Sequence, residues 1–118
     1  MGHLEEERLK GHLCPFVAIT GTLLKSYHRD AQLQIPGYSL FRSDRGNRTG
    51  GGVLLYSLDS IPTTSTKAYD DGVCQVLFNT FSSAKFCVAV VYRPPDASLE
   101  SFRTATSFLD GCIEQFKP

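Results

Sequence analysis

The apolar run of residues 86–92, FCVAVVY, is the feature that most limits how this chain can fold. A run that is apolar throughout and rich in valine favours a β-strand covered on both faces. Pro94 and Pro95 end it, because proline cannot donate a backbone hydrogen bond to a strand ladder. The run is far shorter than the ~20 apolar residues that a membrane helix needs. The sequence therefore predicts a buried central strand and no membrane span.

Four other short segments have the composition of strands. They are residues 16–19, 38–41, 53–56 and 73–81. Residues 53–56 are apolar on both faces and are expected to form a second central strand, whereas residues 73–81 alternate as a half-buried strand does. Residues 60–66, rich in proline and threonine, are predicted to be a connection between strands.

Two segments predict helices. Apolar residues at i+3 and i+4 spacing predict a helix over residues 99–116, which Asp96 or Ser98 can cap. Residues 3–12 predict a weaker first helix with few apolar positions. The order of elements predicts an α/β fold with a mostly antiparallel, hairpin-rich sheet and flanking helices.

Length and charge limit the classes of function. The 118 residues suit a single domain spanning residues 1–118. Twelve basic and twelve acidic residues leave no net charge, so no overall field attracts nucleic acid or an anionic membrane. Residues 25–48, with five basic residues against two aspartates, are the one basic region. The first residues are acidic and lack a following apolar stretch, so we expect an intracellular protein, nuclear or cytoplasmic.

The four cysteines carry no recognisable metal site. They include no C-x-x-C pair and no matching histidine cluster, which a zinc site would need. We expect four buried, reduced thiols, with two disulfides as the alternative.

Three arginines follow the strand candidate at residues 38–41. Arg42, Arg45 and Arg48 supply guanidinium groups suited to bidentate phosphate contacts. Asp44 offsets one of these charges, and a solvated turn has the same composition. The segment is therefore a candidate nucleic-acid contact or an ordinary polar turn.

Tyr92 and Arg93 end the apolar run of residues 86–92. A strand that finishes in a phenol and a guanidinium delivers both to the rim of a sheet, where ligands gather. This pair is the more informative candidate for a phosphate site.

Two further motifs favour structural roles. The three glycines at residues 50–52 are not followed by Gly-Lys-Ser or Gly-Lys-Thr, so they indicate the start of a strand and not a phosphate-binding loop. Asp70 and Asp71 precede Gly72, which is typical of a turn. Neither motif by itself predicts a metal or phosphate site.

Taken together, four segments have a specific order and spacing: VAITGTL at residues 17–23, IPGYSLFRSDR at 35–45, GGGV at 50–53 and VVYRPP at 90–95. As a set they resemble the endonuclease domain of LINE-type (non-LTR) retrotransposons, within the endonuclease/exonuclease/phosphatase superfamily. The resemblance covers residues 4–116. It implies a partial α/β sandwich of that superfamily's type.

The complete domain of this family is a Mg²⁺-dependent endonuclease that nicks DNA by phosphodiester hydrolysis. Its metal-binding glutamate stands between two threonines, where this chain has Gly21 between Thr20 and Thr22. Glycine offers no carboxylate, so no metal ligand at this position and no cofactor are expected for this chain. The family's Gly-Asp-Phe-Asn and Ser-Asp-His motifs are also missing from these 118 residues. Tyr92 aligns with a tyrosine on the phosphate side of the family's site and is the candidate catalytic residue.

The leading hypothesis is a truncated, catalytically inactive relative of this endonuclease, which binds DNA weakly through Tyr92 and four arginines. The arginines are Arg42, Arg45, Arg48 and Arg93. One alternative is an active metal-dependent phosphodiesterase, completed by a partner chain or by a replacement carboxylate such as Asp70. Another is a protein-interaction module that self-associates through exposed strand edges.

Overall fold

A computed structural model of the chain describes residues 14–24, 27–44, 51–82 and 85–116. The described elements are β1 (Phe16–Thr20), α1 (Asp30–Leu33), β2 (Tyr38–Ser43), β3 (Val53–Leu58), β4 (Thr63–Asp70), β5 (Gln75–Phe81), β6 (Cys87–Tyr92) and α2 (Leu99–Phe116). The helix predicted at residues 3–12 lies outside the described residues. Arg45 and Arg48 also lie outside them.

The strands form two three-stranded antiparallel sheets. The first sheet has the order β1-β3-β2, and the second has the order β4-β5-β6. In the second sheet each strand pairs with its neighbour in sequence, as in successive hairpins. The predicted α/β class with antiparallel, hairpin-connected strands is confirmed at this level.

The two sheets pack face to face through one apolar cluster. Val53 and Leu55 of β3 meet Leu77 of β5 and Val90 of β6 between the sheets, and all four are buried. Because alternate residues of a strand face opposite sides, β3 also supplies Leu54, Tyr56 and Leu58 to the outer face of the first sheet.

Helix α2 covers the outer face of the second sheet. Val76 of β5 and Ala105 of α2 lie at the centre of this contact, with Phe102, Phe108 and other apolar side chains around them. Ser98 caps the helix, because its Oγ accepts a hydrogen bond from the Ser101 amide at 3.1 Å. The layers are therefore sheet, sheet and helix.

Two tyrosines tie loops to the first sheet. Tyr38 donates from its hydroxyl to the carbonyl of Cys14 at 2.5 Å, and Tyr56 donates to the carbonyl of Leu33 at 2.5 Å. The second bond fixes the end of α1 against the outer face of that sheet.

The predicted positions of two strands within the sheets are wrong. β6, expected to be central, is an edge strand of its sheet, with Ala89 and Val91 exposed. β5, expected to be half-buried, is the central strand and is buried almost throughout. Gln75 and Asn79 gave β5 a half-polar pattern, but both side chains are buried between the sheets. Polarity was therefore a poor guide to exposure here.

The prediction of a connection at residues 60–66 is also wrong in its second half. β4 begins at Thr63, directly after Pro62, and its residues alternate between half-buried and exposed. Threonine is β-branched and suits an extended edge strand. The proline marks the start of the strand and does not exclude it.

The expectation of four buried thiols holds for two cysteines. Cys74 and Cys112 are buried, whereas Cys14 is exposed and Cys87 is half-buried. All four are free thiols. In the part of the chain that the structure describes, no helix is long and apolar enough to cross a membrane.

Candidate functional site

The described residues that the sequence singled out, among them Gly21, Asp70, Tyr92 and Arg93, lie at one end of the sandwich. There β1, β2, β4 and β6 finish, and β3 and β5 begin. Tyr92 is the register partner of Gln75, and Ser43 is the register partner of Val53. We call this the Gln75 end, after the side chain at its centre.

Gln75 ties the two sheets together. Its side chain is fully buried, its Nε2 donates to the Ser43 carbonyl at 2.9 Å, and its Oε1 accepts from the Gly52 amide at 2.8 Å. One residue of the second sheet thus fixes the end of β2 and the start of β3 in the first. Sequence reasoning missed this role, although a glutamine at the start of a mostly apolar strand was the available signal.

The turn after β1 is bonded to the glycines that precede β3. The Gly21 amide donates to the Gly52 carbonyl at 2.8 Å, and the Leu23 amide donates to the Gly51 carbonyl at 2.9 Å. Gly52 has φ +94°, and a Cβ there would collide with Oγ1 of Thr22. The glycines lead into β3, as predicted, and they also allow this close approach of two backbones.

Position 21 has room for a side chain but an unfavourable backbone for one. Gly21 is exposed, has φ +67°, and an added Cβ would meet no atom within 4 Å. An L-residue in this left-handed conformation is strained by about 1–2 kcal/mol. The backbone at position 21 therefore favours glycine even though there is space for a side chain.

The aspartates at 70 and 71 form a turn, as the sequence predicted. Asp71 Oδ1 accepts from the amides of Val73 and Cys74 at 2.8 and 2.9 Å, and Tyr69 donates its hydroxyl to Asp71 at 2.9 Å. Asp70 accepts from the Gly72 amide at 2.8 Å. Each carboxylate already stabilises the loop between β4 and β5.

These contacts change how the turn titrates. Burial acts to raise the pKa of Asp71, but hydrogen bonds from Val73, Tyr69 and Cys74 outweigh it, so the pKa lies below its ordinary value. Burial, and then the bond to Asp71, raises the pKa of Tyr69 to about 12. Asp71 is thus held as a carboxylate that accepts from its neighbours.

Arg42 is held by its own surroundings. Its Nε and Nη2 donate to Asp44 at 3.1 and 2.6 Å, and its Nη1 donates to Asp30 at 3.0 Å and to the carbonyl of His28. The hydrogen bond to Asp44 is the largest of the effects that raise the pKa of Arg42. Binding of phosphate by Arg42 stays a prediction, and it would require exchange of these partners.

Tyr92 and Arg93 both lie at the Gln75 end but in different surroundings. The Tyr92 ring is half-buried and packs against the apolar cluster between the sheets. Arg93 is exposed, and its guanidinium lies 4.6 Å from the centre of the Phe102 ring on α2. This cation–π contact orients the guanidinium beside the helix.

The carboxylates that the structure describes at this end do not fit a Mg²⁺ site. Position 21 supplies none, Asp44 is paired with Arg42, and Asp71 is committed to its turn. Among the described residues, no three His, Cys, Asp or Glu side chains are grouped so that they could hold a metal ion. Magnesium prefers carboxylate oxygens in octahedral geometry, which this set does not offer.

Comparisons of the chain with protein-family models, with curated proteins and with solved structures find no match. What the chain does is therefore inferred from its own residues.

Proposed function

We propose that this chain is a catalytically inactive relative of the LINE-type retrotransposon endonucleases, of partial endonuclease/exonuclease/phosphatase type, that keeps weak binding of DNA phosphates at the Gln75 end. The observation that carries this proposal is Gly21, which stands at the position of the family's metal-binding glutamate in a left-handed turn. Without that carboxylate, the family's way of stabilising charge on the phosphodiester has no ligand at this position.

The other carboxylates give further support for inactivity. Asp70, the candidate replacement ligand, accepts a hydrogen bond within its own turn, and Asp44 forms two hydrogen bonds with Arg42. Freeing either carboxylate would break local structure. An active form would therefore need its metal ligands from outside this set.

The proposed phosphate contacts are Tyr92, Arg93, Arg45 and Arg48. Arg93 is exposed beside Tyr92 at the end of β6. Arg45 and Arg48 stand in the sequence between Asp44 and Gly51, and Gln75 anchors the adjoining ends of β2 and β3. Because only the three arginines neutralise phosphate charge, the logarithm of affinity should fall with a slope of about −3 against the logarithm of salt concentration.

Inactivity is tested by nicking of supercoiled plasmid with Mg²⁺ or Mn²⁺. We expect no nicking by the folded wild-type chain, and none by Gly21→Glu, because one carboxylate does not supply the absent Asp–His motif. Tyr92→Ala serves as the control for a contaminating nuclease. Metal-dependent nicking that Tyr92→Ala abolishes would overturn the proposal and favour the active alternative.

Phosphate binding is tested separately by fluorescence anisotropy with a labelled DNA duplex over a range of salt concentrations. We expect weak binding at low salt that Arg93→Gln weakens further, together with Arg45→Gln and Arg48→Gln. Arg103→Gln is the matched control, because Arg103 is an exposed arginine on α2. A complex insensitive to salt, no complex at low salt, or equal loss with the control would contradict binding at this end.

A further inference from the structure

Two edge strands lie on the same side of the sandwich. β1 is the last strand of the first sheet and β6 is the last strand of the second. Phe16 of β1 and Val88 of β6 pack against the same apolar cluster between the sheets, and the Phe16 ring lies 5.7 Å from that of Phe86. We call this the β1–β6 side. Both strands finish at the Gln75 end, so they run in the same direction.

The β1–β6 side lacks the features that normally protect a strand edge. Neither strand contains a charged residue or a proline, and β6 pairs with β5 through six consecutive positions without a bulge. Natural sheets keep their edges from pairing by such charges, prolines and bulges. Both strands are therefore competent to pair further.

The opposite side of the sandwich is protected. Its edge strands are β2 and β4, which carry Arg42 and Lys67 respectively. The pairing of β4 with β5 is irregular between Thr63 and Ser65. The two sides therefore differ in how well their strand edges are protected against further pairing.

Apolar side chains are exposed along the unprotected edges. Ile19 of β1 is 42% exposed, Val91 of β6 is 36% exposed, and Phe86 just before β6 is 44% exposed. Helix α2 contacts β5 and β4, which leaves the outer face of β6 at Ala89 uncovered among the described residues. No described strand pairs with the outer edge of either β1 or β6.

We propose that the β1–β6 side binds a second copy of this chain through antiparallel pairing of β6 with β6 and of β1 with β1. A two-fold axis perpendicular to the sheets pairs β1 with β1 and β6 with β6 at the same time, because the two strands are stacked and run in the same direction. The dimer then has two continuous six-stranded layers. A single foreign strand would satisfy only one of the two edges, and the absence of charge gives no basis for selecting a charged partner.

The oligomeric state of the full chain tests this proposal. Light scattering after size exclusion, over a range of concentrations, should show a mass that rises from 13.0 kDa to twice that value and then stops. Ala89→Lys places two like charges near the axis and should raise the dimer dissociation constant about tenfold or more. Ala68→Lys is the matched control, because it adds the same charge to an exposed alanine on the opposite edge strand, β4. It should leave dimerisation unchanged.

A second pair of measurements separates two-layer pairing from pairing through β6 alone. Ile19→Lys on β1 should also weaken the dimer, and amide exchange in both Phe16–Thr20 and Cys87–Tyr92 should slow as wild-type concentration rises. The exchange measurement needs no variant, so it decides the matter even if Ala89→Lys does not fold. The proposal would be overturned if the wild-type chain stays monomeric or if its mass grows without limit. It would also be overturned if Ala68→Lys weakens the dimer equally or if Ile19→Lys leaves the affinity unchanged.

Discussion

Two buried amides on β5 differ in whether they have partners. Gln75 and Asn79 are both fully buried between the sheets. Gln75 bonds the backbones of Ser43 and Gly52, whereas neither amide atom of Asn79 has a hydrogen-bond partner among the described residues. A buried polar group without a partner destabilises the folded state, since it gives up its bonds to water. The same residue chemistry therefore has opposite effects four positions apart.

Replacing each amide by leucine measures this difference. Gln75→Leu takes the partner from the buried Gly52 amide and from the part-buried Ser43 carbonyl, and should lower the free energy of unfolding by about 2–4 kcal/mol. Asn79→Leu, the matched control on the same strand and face, should leave it unchanged or raise it by up to about 2 kcal/mol. Urea unfolding measures both variants. Equal losses would show that Gln75 contributes no more than an ordinary buried amide.

Tyr69, near the end of β4 and next to the loop between β4 and β5, makes the free energy of unfolding depend on pH in the alkaline range. Tyr69 has a pKa of about 12 in the fold, above its ordinary value of 10.0, so the folded state holds the proton more firmly than the unfolded chain. The stabilisation that this raised pKa gives the folded state is complete below pH 10.0 and is lost as pH rises through about 12. Tyr69→Phe should flatten this alkaline fall in unfolding free energy.

Asp71→Asn is the companion variant for this loop. It removes the smaller cause of the shift and leaves burial in place, so the phenol pKa should fall part of the way towards 10.0. Ultraviolet titration of tyrosinate measures the phenol pKa, and Tyr69→Phe identifies which part of the signal comes from Tyr69. An unchanged alkaline slope in Tyr69→Phe would assign the pH dependence to another group.

Helix α2 contains a glycine that its surroundings do not require. An added Cβ at Gly111 would meet no atom within 4 Å, so Gly111→Ala should stabilise the protein by about 1 kcal/mol. The same change at Gly52, where φ is +94° and Thr22 is in the way, should destabilise it by about 1–3 kcal/mol. Thermal unfolding of the two variants should thus shift in opposite directions, and a shift in the same direction would contradict this account.

Local patterns predicted most elements but not their neighbours. Period-two and helical spacing located β1, β2, β3, β5, β6 and α2 within a few residues. The order and burial of strands depend on long-range contacts, which is why β6 was expected to be central and β5 only half-buried. At the site, Tyr92 and the glycines were visible in the sequence. The bonds of Gln75 and those of Arg42 to His28 and Asp30 were not, because they join residues between 12 and 32 positions apart.

Across the whole molecule, a single apolar cluster couples the two sheets. Leu55 of β3 is fully buried and packs against Leu77 and Val90 of the other sheet. Leu55→Ala should lower the free energy of unfolding by about 2–5 kcal/mol, through lost burial and the cavity that remains. If the sheets unfold together, amides of β5 should lose hydrogen-exchange protection as much as those of β3. Loss confined to the first sheet would show that the two layers open independently.

The left-handed turn at Gly21 also bears on how this chain could change over generations. Glycine and glutamate codons can differ by a single base, so the genetic change to a carboxylate at position 21 is small. The change is less favourable for the backbone, because φ +67° suits glycine and the Gly21 amide is bonded to the Gly52 carbonyl. A mutation to glutamate would therefore introduce a strained residue before any benefit, so glycine at this position would tend to persist.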